Sequence, residues 1–212
     1  MKDSQHNADA PPKRVIYDRF APHYDCAFEP LEKWFLKRLR AETLRVIPDN
    51  SSCILEIGCG TGSNFPFYTP QARGVASELS REMIARAKTK PRPAAVQLTQ
   101  AHAEALPFAE NSFDAAFATL VFCSIASPPK AFAELRRVVK PGGVIALLEH
   151  VRPDNFLAPF FDALSLLTVS LFDDHFNRQT ANEARRAGLE LTRIEKSLRG
   201  IVQLIVCRNP LR

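Results

Sequence analysis

CILEIGCGTGSN, residues 53–64, decides the fold: an apolar run, Cys53 to Ile57, carries one acid, Glu56, and gives way to glycines at alternate positions, Gly58, Gly60 and Gly62. A short apolar run bounded by turn residues reads as a buried strand. Glycines directly after it let the backbone turn tightly and approach a ligand where a Cβ would intrude. In an open α/β sheet that place is the crevice beyond the carboxyl ends of the strands, where ligands bind.

Outward from this stretch, strand-like and helical segments alternate. Strands are expected at 73–78, 95–99, 113–117 and 144–148, and helices at 81–88 and 131–139, the second stopped by KPGG at 140–143; residues 65–68 begin the return segment. This order predicts an α/β fold, a Rossmann-like, seven-stranded, mostly parallel sheet with helices on both faces. Residues 189–195 and 201–207, joined at Arg199 and Gly200, close it as a C-terminal antiparallel hairpin. Upstream, 14–46 reads as helix interrupted near Pro22 and Pro30, with Leu31, Trp34, Phe35 and Leu39 at helical spacing. Residues 1–12 are polar and proline-closed and are expected to be disordered, with 13–212 a single domain whose first part, 13–47, is a helical lid.

The 212 residues, 46% hydrophobic, suffice for one well-buried core. The polar first ten residues lack an apolar h-region, which speaks against a secretory signal and for the cytoplasm. Five cysteines in no CxxC pair argue against a disulfide framework and a zinc site, so no metal is expected. The net charge of +5 is concentrated toward the C-terminus, a surface suited to anionic headgroups at the inner membrane. Basic residues are not interleaved with aromatics and no helix-turn-helix pattern occurs, so nucleic acid is not an expected partner.

The glycine spacing is GxGxG, whereas a dinucleotide site uses GxGxxG to seat a pyrophosphate on a helix N-terminus. Glu56, two residues before the first glycine, would repel phosphate and welcome a cation. S-adenosylmethionine fits, since it carries a sulfonium and an ammonium and no phosphate. Glu78 follows the first glycine by about twenty residues, the distance at which an acid reaches ribose hydroxyls. A nicotinamide dehydrogenase is opposed by the same features, and a binding module that keeps the pocket without catalysis is the third reading.

These residues, with YDRFAPHYD (17–25), ASELSREMIARAK (76–88), AHAEALPFAENSFD (101–114) and LRRVVKPGGVIALLEH (135–150), resemble the class I S-adenosylmethionine-dependent methyltransferases. The resemblance implies that Glu56 and the glycine loop hold the methionine part, Glu78 the ribose, and Leu79 and Met83 the adenine faces, with Tyr17 and Tyr24 in an N-terminal lid. Asn64, Ala103 and Leu120 complete the expected cofactor-binding set. Many relatives carry an acid where this chain has His102, so Glu104 or the backbone is expected to replace that contact with the adenine amino group. The cofactor is S-adenosyl-L-methionine and the product S-adenosyl-L-homocysteine.

Methyl transfer is an in-line displacement that chiefly needs alignment and exclusion of water. Candidates for a base and its orienting partner are Glu149 and His150 after the fifth strand, and Asp173 and His175 in FDDHFNRQT, residues 172–180. Residues 156–172, apolar on one helical face, suit a roof over an apolar acceptor or a rest in the membrane interface. The segments NFPFY, TLVFCS and LLEHV look most like microsomal thiol methyltransferases, and YDRFAPHYD is shared with bacterial phosphatidylethanolamine N-methyltransferases. The expected acceptor is a thiol first and a phospholipid amine second, with any membrane contact peripheral.

Overall fold

The computed structural model describes residues 13–151 and 178–211. Helix α1, Lys13–Leu31, runs into a π-helical turn, Glu32–Leu36, and then α2, Lys37–Arg45. Strands β1, Ile54–Ile57, and β2, Gly74–Glu78, precede α3, Arg81–Lys88, and β3, Val96–Gln100. Next come β4, Phe113–Thr119, α4, Pro128–Val138, and β5, Val139–His150. Helix α5, Thr180–Arg186, and strands β6, Glu190–Ser197, and β7, Val202–Arg208, end the described chain.

The seven strands form one sheet in the order β3-β2-β1-β4-β5-β7-β6. Strands β1 to β5 are parallel, and β7 pairs antiparallel with both β5 and β6, as a terminal hairpin requires. Strand order reverses between β1 and β4, so the loops after these two strands flank the crevice in which such sheets bind ligands. The loop after β1 carries the glycines.

Side-chain alternation sends the two faces of the sheet to different helices. Leu55, Ile57, Ala116, Ala118, Ile145 and Leu147 pack with Phe132, Leu135 and Val138 of α4 and Ala184 of α5. Ile54, Ala76, Ala115, Phe117 and Ala146 pack with Ala87 of α3 and Leu44 of α2, while Leu148 and Leu204 meet Leu39. Each fully buried Phe or Leu contributes about 1.5–3 kcal/mol, so α4 is held mainly by this burial. Ser80 caps α3, its hydroxyl accepting from the Met83 N–H at 3.1 Å, a contribution of about 1 kcal/mol.

Three boundaries differ from the sequence reading. Pro22 and Pro30 lie inside α1, and the irregularity comes only at the π-helical turn after Pro30. Pro22 costs the helix a hydrogen bond, but side-chain ties from Asp18 and Asp25 hold it on either side. Second, KPGG stops α4 but belongs to β5, which enters through a register shift with Gly142 at φ +78°. Third, Trp34 is not part of an apolar inner face: it is 89% exposed, while Leu36 and Leu39 turn inward. No described helix is long and apolar enough to cross a membrane. Residues 156–172 lie outside the described residues.

Candidate active site

All three glycines of the turn have positive φ: Gly58 +65°, Gly60 +55° and Gly62 +86°. Their surroundings differ. A Cβ on Gly58 would lie 2.6 Å from Val121 Cγ2, and one on Gly62 would run into the Phe65 ring, so these two are demanded by packing. A Cβ on Gly60 would meet nothing within 4 Å. Gly60 is therefore the member of the set whose bare backbone faces open space at the mouth of the crevice.

Glu56 lies beneath this turn, fully buried. One carboxylate oxygen accepts from Asn64 Nδ2 at 2.6 Å and the other from the Tyr68 hydroxyl. Burial pushes its carboxyl up to about 7, against the hydrogen bonds from Tyr68 and Asn64 and the charge of Arg40. The sequence reading has Glu56 help hold the methionine part by charge complementarity. The structure encloses the side chain, so its charge acts on the crevice through Asn64 and through the field of the turn.

Glu78, at the end of β2, accepts from the Gly60 N–H at 2.9 Å and the Ser80 N–H at 2.8 Å. A carboxylate has about four lone-pair sites, and a third backbone hydrogen bond, from Leu79, also reaches it, so about one remains for a hydroxyl of a ligand over Gly60. Burial raises its pKa, opposed by these backbone hydrogen bonds. An open backbone at Gly60 bordered by two acids fits a cationic nucleoside, and S-adenosylmethionine is such a molecule.

Helix α1 is fastened across this turn by contacts that sequence reasoning missed. Asp18 accepts from the Ser80 hydroxyl at 2.6 Å; Asp25 accepts from the Thr61 hydroxyl at 2.5 Å and pairs with Lys90 at 2.8 Å. Asp18 and Asp25 are seven residues apart and so share a helical face, a signal present in YDRFAPHYD. Between them Tyr24 stacks on Phe28 with ring centroids 4.7 Å apart, and its hydroxyl is pushed up to about 12, chiefly by burial. Tyr17 is half-buried on the same helix.

The remaining expected residues divide. Leu79 and Ala103 are half-buried, and Leu120, at φ +60°, follows β4 at the crevice. His102 is exposed and accepts the Glu104 N–H at 3.2 Å, while the Glu104 carboxylate accepts from Ser127 N at 2.8 Å. Glu104 is thus engaged in holding the start of α4. Met83 is 2% exposed, among the buried residues of α3. Glu149 is fully buried, with Oε1 accepting from Val121 N at 3.0 Å and Phe122 N at 3.1 Å. It ties β5 to the segment after β4, a structural task for an acid expected to be catalytic. His150 is held neutral, burial lowering its pKa to about 4. Asp173 and His175 lie outside the described residues.

Residues 55–147 match a methyltransferase-domain family model. A thiol S-methyltransferase of Rattus norvegicus is 30% identical over 154 residues, which is 69% of this chain and 63% of the relative, so the chain spans somewhat under two thirds of that protein. A demethylmenaquinone methyltransferase of Renibacterium salmoninarum is 32% identical over 187 residues, 84% of this chain and 76% of the relative. A phosphatidylethanolamine N-methyltransferase of Cereibacter sphaeroides is 30% identical over 106 residues, 48% of this chain and 52% of the relative. An S-adenosylmethionine-dependent methyltransferase from Thermotoga maritima superposes with a TM-score of 0.73 at 21% identity, covering 93% of this chain and all of the other. The sheet order, the glycine turn with its acids and the extent of the demethylmenaquinone match agree, and the chain belongs to the class I S-adenosylmethionine-dependent methyltransferase family.

Proposed function

We propose that the protein transfers the methyl group of S-adenosylmethionine to a small apolar thiol. The observation that carries the cofactor half of this reading is the open space over Gly60, bordered by Glu78 and underlain by Glu56. When bound there, the cofactor supplies an electrophilic methyl on a sulfonium. The chain's own part is to align, to shield and to hold charge. Phe20, Tyr24 and Phe28, clustered on α1, make an apolar wall that excludes water, and the Asp18 and Asp25 ties seat it.

The thiol follows from what the described residues offer as a base. Glu149 Oε1 is taken by two backbone N–H groups, and His150, with a pKa of about 4, attracts a proton only weakly. A thiol ionises unaided near pH 8.5 and is then strongly nucleophilic, whereas an amine near 10 needs its proton removed. Among the described residues the site is poor in bases, which suits the thiol, and the likeness to a thiol S-methyltransferase supports it.

Methylation of a phospholipid amine at a membrane surface is the second reading. It is favoured by the likeness to the phosphatidylethanolamine enzyme and by exposed Ile194 and Leu198 beside Arg193, Lys196 and Arg199. The test is S-adenosylhomocysteine release with a panel of aliphatic and aromatic thiols, with phosphatidylethanolamine vesicles, and with a demethylated quinone. Turnover on thiols alone supports the proposal. Turnover on vesicles alone replaces it with the lipid reading, and cofactor binding without turnover on any acceptor replaces it with a binding module.

A further inference from the structure

Arg40 of α2 is 4% exposed. A buried guanidinium persists only when it is paired. On one side, Nε and Nη2 form a fork on the Glu32 carboxylate at 3.0 and 2.6 Å. On the other, Nη1 donates to Asn64 Oδ1 at 3.1 Å and to Thr119 Oγ1 at 2.5 Å. The Asn64 amide then donates to both Thr119 Oγ1, at 2.8 Å, and Glu56 Oε1, at 2.6 Å. Five elements meet in this chain: the π-helical turn, α2, β1, the glycine turn and the tip of β4.

The geometry points to Arg40 as a positioning residue for the cofactor site: it fixes Asn64 and Thr119 from the N-terminal helices and favours the charged form of the Glu56 carboxylate beneath Gly60. The inference rests on the cofactor reading given above and deepens it. The groups facing Glu56 set its charge. Tyr68, from the segment after the glycine turn, and Asn64, from the turn itself, donate hydrogen bonds, and Glu78 of β2 opposes a negative charge there. Arg40 of α2 is the cation among them, itself paired with Glu32 at 2.6 Å. Burial leaves Glu56 titrating at about 7 with Arg40 in place, so loss of that one cation moves it further toward the protonated form.

Asn64 cannot serve the same end alone. Its amide is oriented by Arg40, since the oxygen accepts from the guanidinium and the nitrogen is thereby turned to Glu56. A lysine would supply the charge but not the fork, because its ammonium is a point donor without the planar geometry that spans Glu32 and Asn64 together.

The experiment is calorimetric titration of S-adenosylhomocysteine into the purified chain between about pH 6 and 8.5, for wild type, Arg40→Met, Arg40→Lys and Glu56→Gln. Wild type is expected to bind progressively more weakly below about pH 7, where Glu56 takes up a proton. Arg40→Met moves that fall to higher pH, giving roughly tenfold weaker binding at neutral pH for each unit of displacement, recovered at the alkaline end. Arg40→Lys keeps the wild-type midpoint with a smaller uniform loss, and Glu56→Gln gives weak binding that does not vary with pH. An Arg40→Met curve parallel to wild type at every pH overturns the inference. If Arg40→Met does not fold, a pH-dependent Glu56→Gln curve matching wild type overturns it equally. Failure of wild type itself to bind is a different result, and it removes the cofactor reading.

Discussion

Replacing Gly60 and Gly62 separately by alanine separates a glycine kept for a ligand from one kept for packing. At Gly60, φ is +55° and a Cβ meets nothing within 4 Å, so Gly60→Ala costs only the left-handed backbone, about 1–2 kcal/mol. For a chain of this size that is a fall in Tm of roughly 2–8 °C. At Gly62 the same backbone cost is joined by a collision with the Phe65 ring, and overpacking adds about 1–3 kcal/mol. The total is about 3 kcal/mol, so Gly62→Ala loses roughly 6–12 °C. Cofactor response runs the other way. Wild type with S-adenosylhomocysteine at about a hundred times its Kd gains about 2.7 kcal/mol, a rise of roughly 5–11 °C. Gly60→Ala loses most of that rise because its methyl enters the ligand's space, while Gly62→Ala, once folded, keeps it. Scanning calorimetry with and without the ligand measures both numbers. A full ligand-induced rise in Gly60→Ala, with a stability equal to Gly62→Ala, would refute the assignment of open space to the cofactor.

Three further outcomes follow from individual contacts. Asp114→Ala removes the acceptor of Cys53 N at 2.8 Å and of Lys140 at 2.5 Å, and is expected to cost about 1.5–3 kcal/mol in urea unfolding, with no change in cofactor affinity. His150, with its pKa lowered to about 4 in the fold against about 6.5 unfolded, binds fewer protons folded than unfolded, so its contribution to stability is lost as pH falls from about 6.5 toward 4. NMR of the imidazole should show no titration above about pH 5.5, and an ordinary histidine midpoint would contradict its burial. Trp34, the chain's one tryptophan and 89% exposed, is expected to emit like tryptophan in water and to be quenched by iodide; a blue-shifted, protected emission would mean that this helix face is covered.

The β1 strand and the turn after it were legible because both signals are local: an apolar run followed by glycines has few alternative structures. The terminal hairpin was legible for the same reason, since Arg199 and Gly200 mark a turn between two β-like runs. Pro22 misled because proline reports the loss of a hydrogen bond and not the side-chain ties that carry α1 past it. KPGG misled because a stop for one element is also, here, the entry to the next. In the candidate site, Glu56 and Glu78 were visible from their spacing to the glycines, but burial was not, and burial decides whether an acid touches a ligand or supports one. Met83 was given to the adenine face by resemblance and Glu149 to catalysis by its place after the fifth strand; the structure buries Met83 in α3 and sets Glu149 Oε1 on two backbone N–H groups. Arg40 was illegible for a plainer reason: its partners Asn64 and Thr119 stand 24 and 79 residues away, and no pattern along the chain joins them.

A bare turn set among acids selects a cationic nucleoside. Titrating S-adenosylmethionine, S-adenosylhomocysteine and NAD into the same preparation measures that selection directly. Saturable binding of the first two with no heat from NAD is the predicted result. Saturable binding of NAD with none of either adenosyl compound would contradict it.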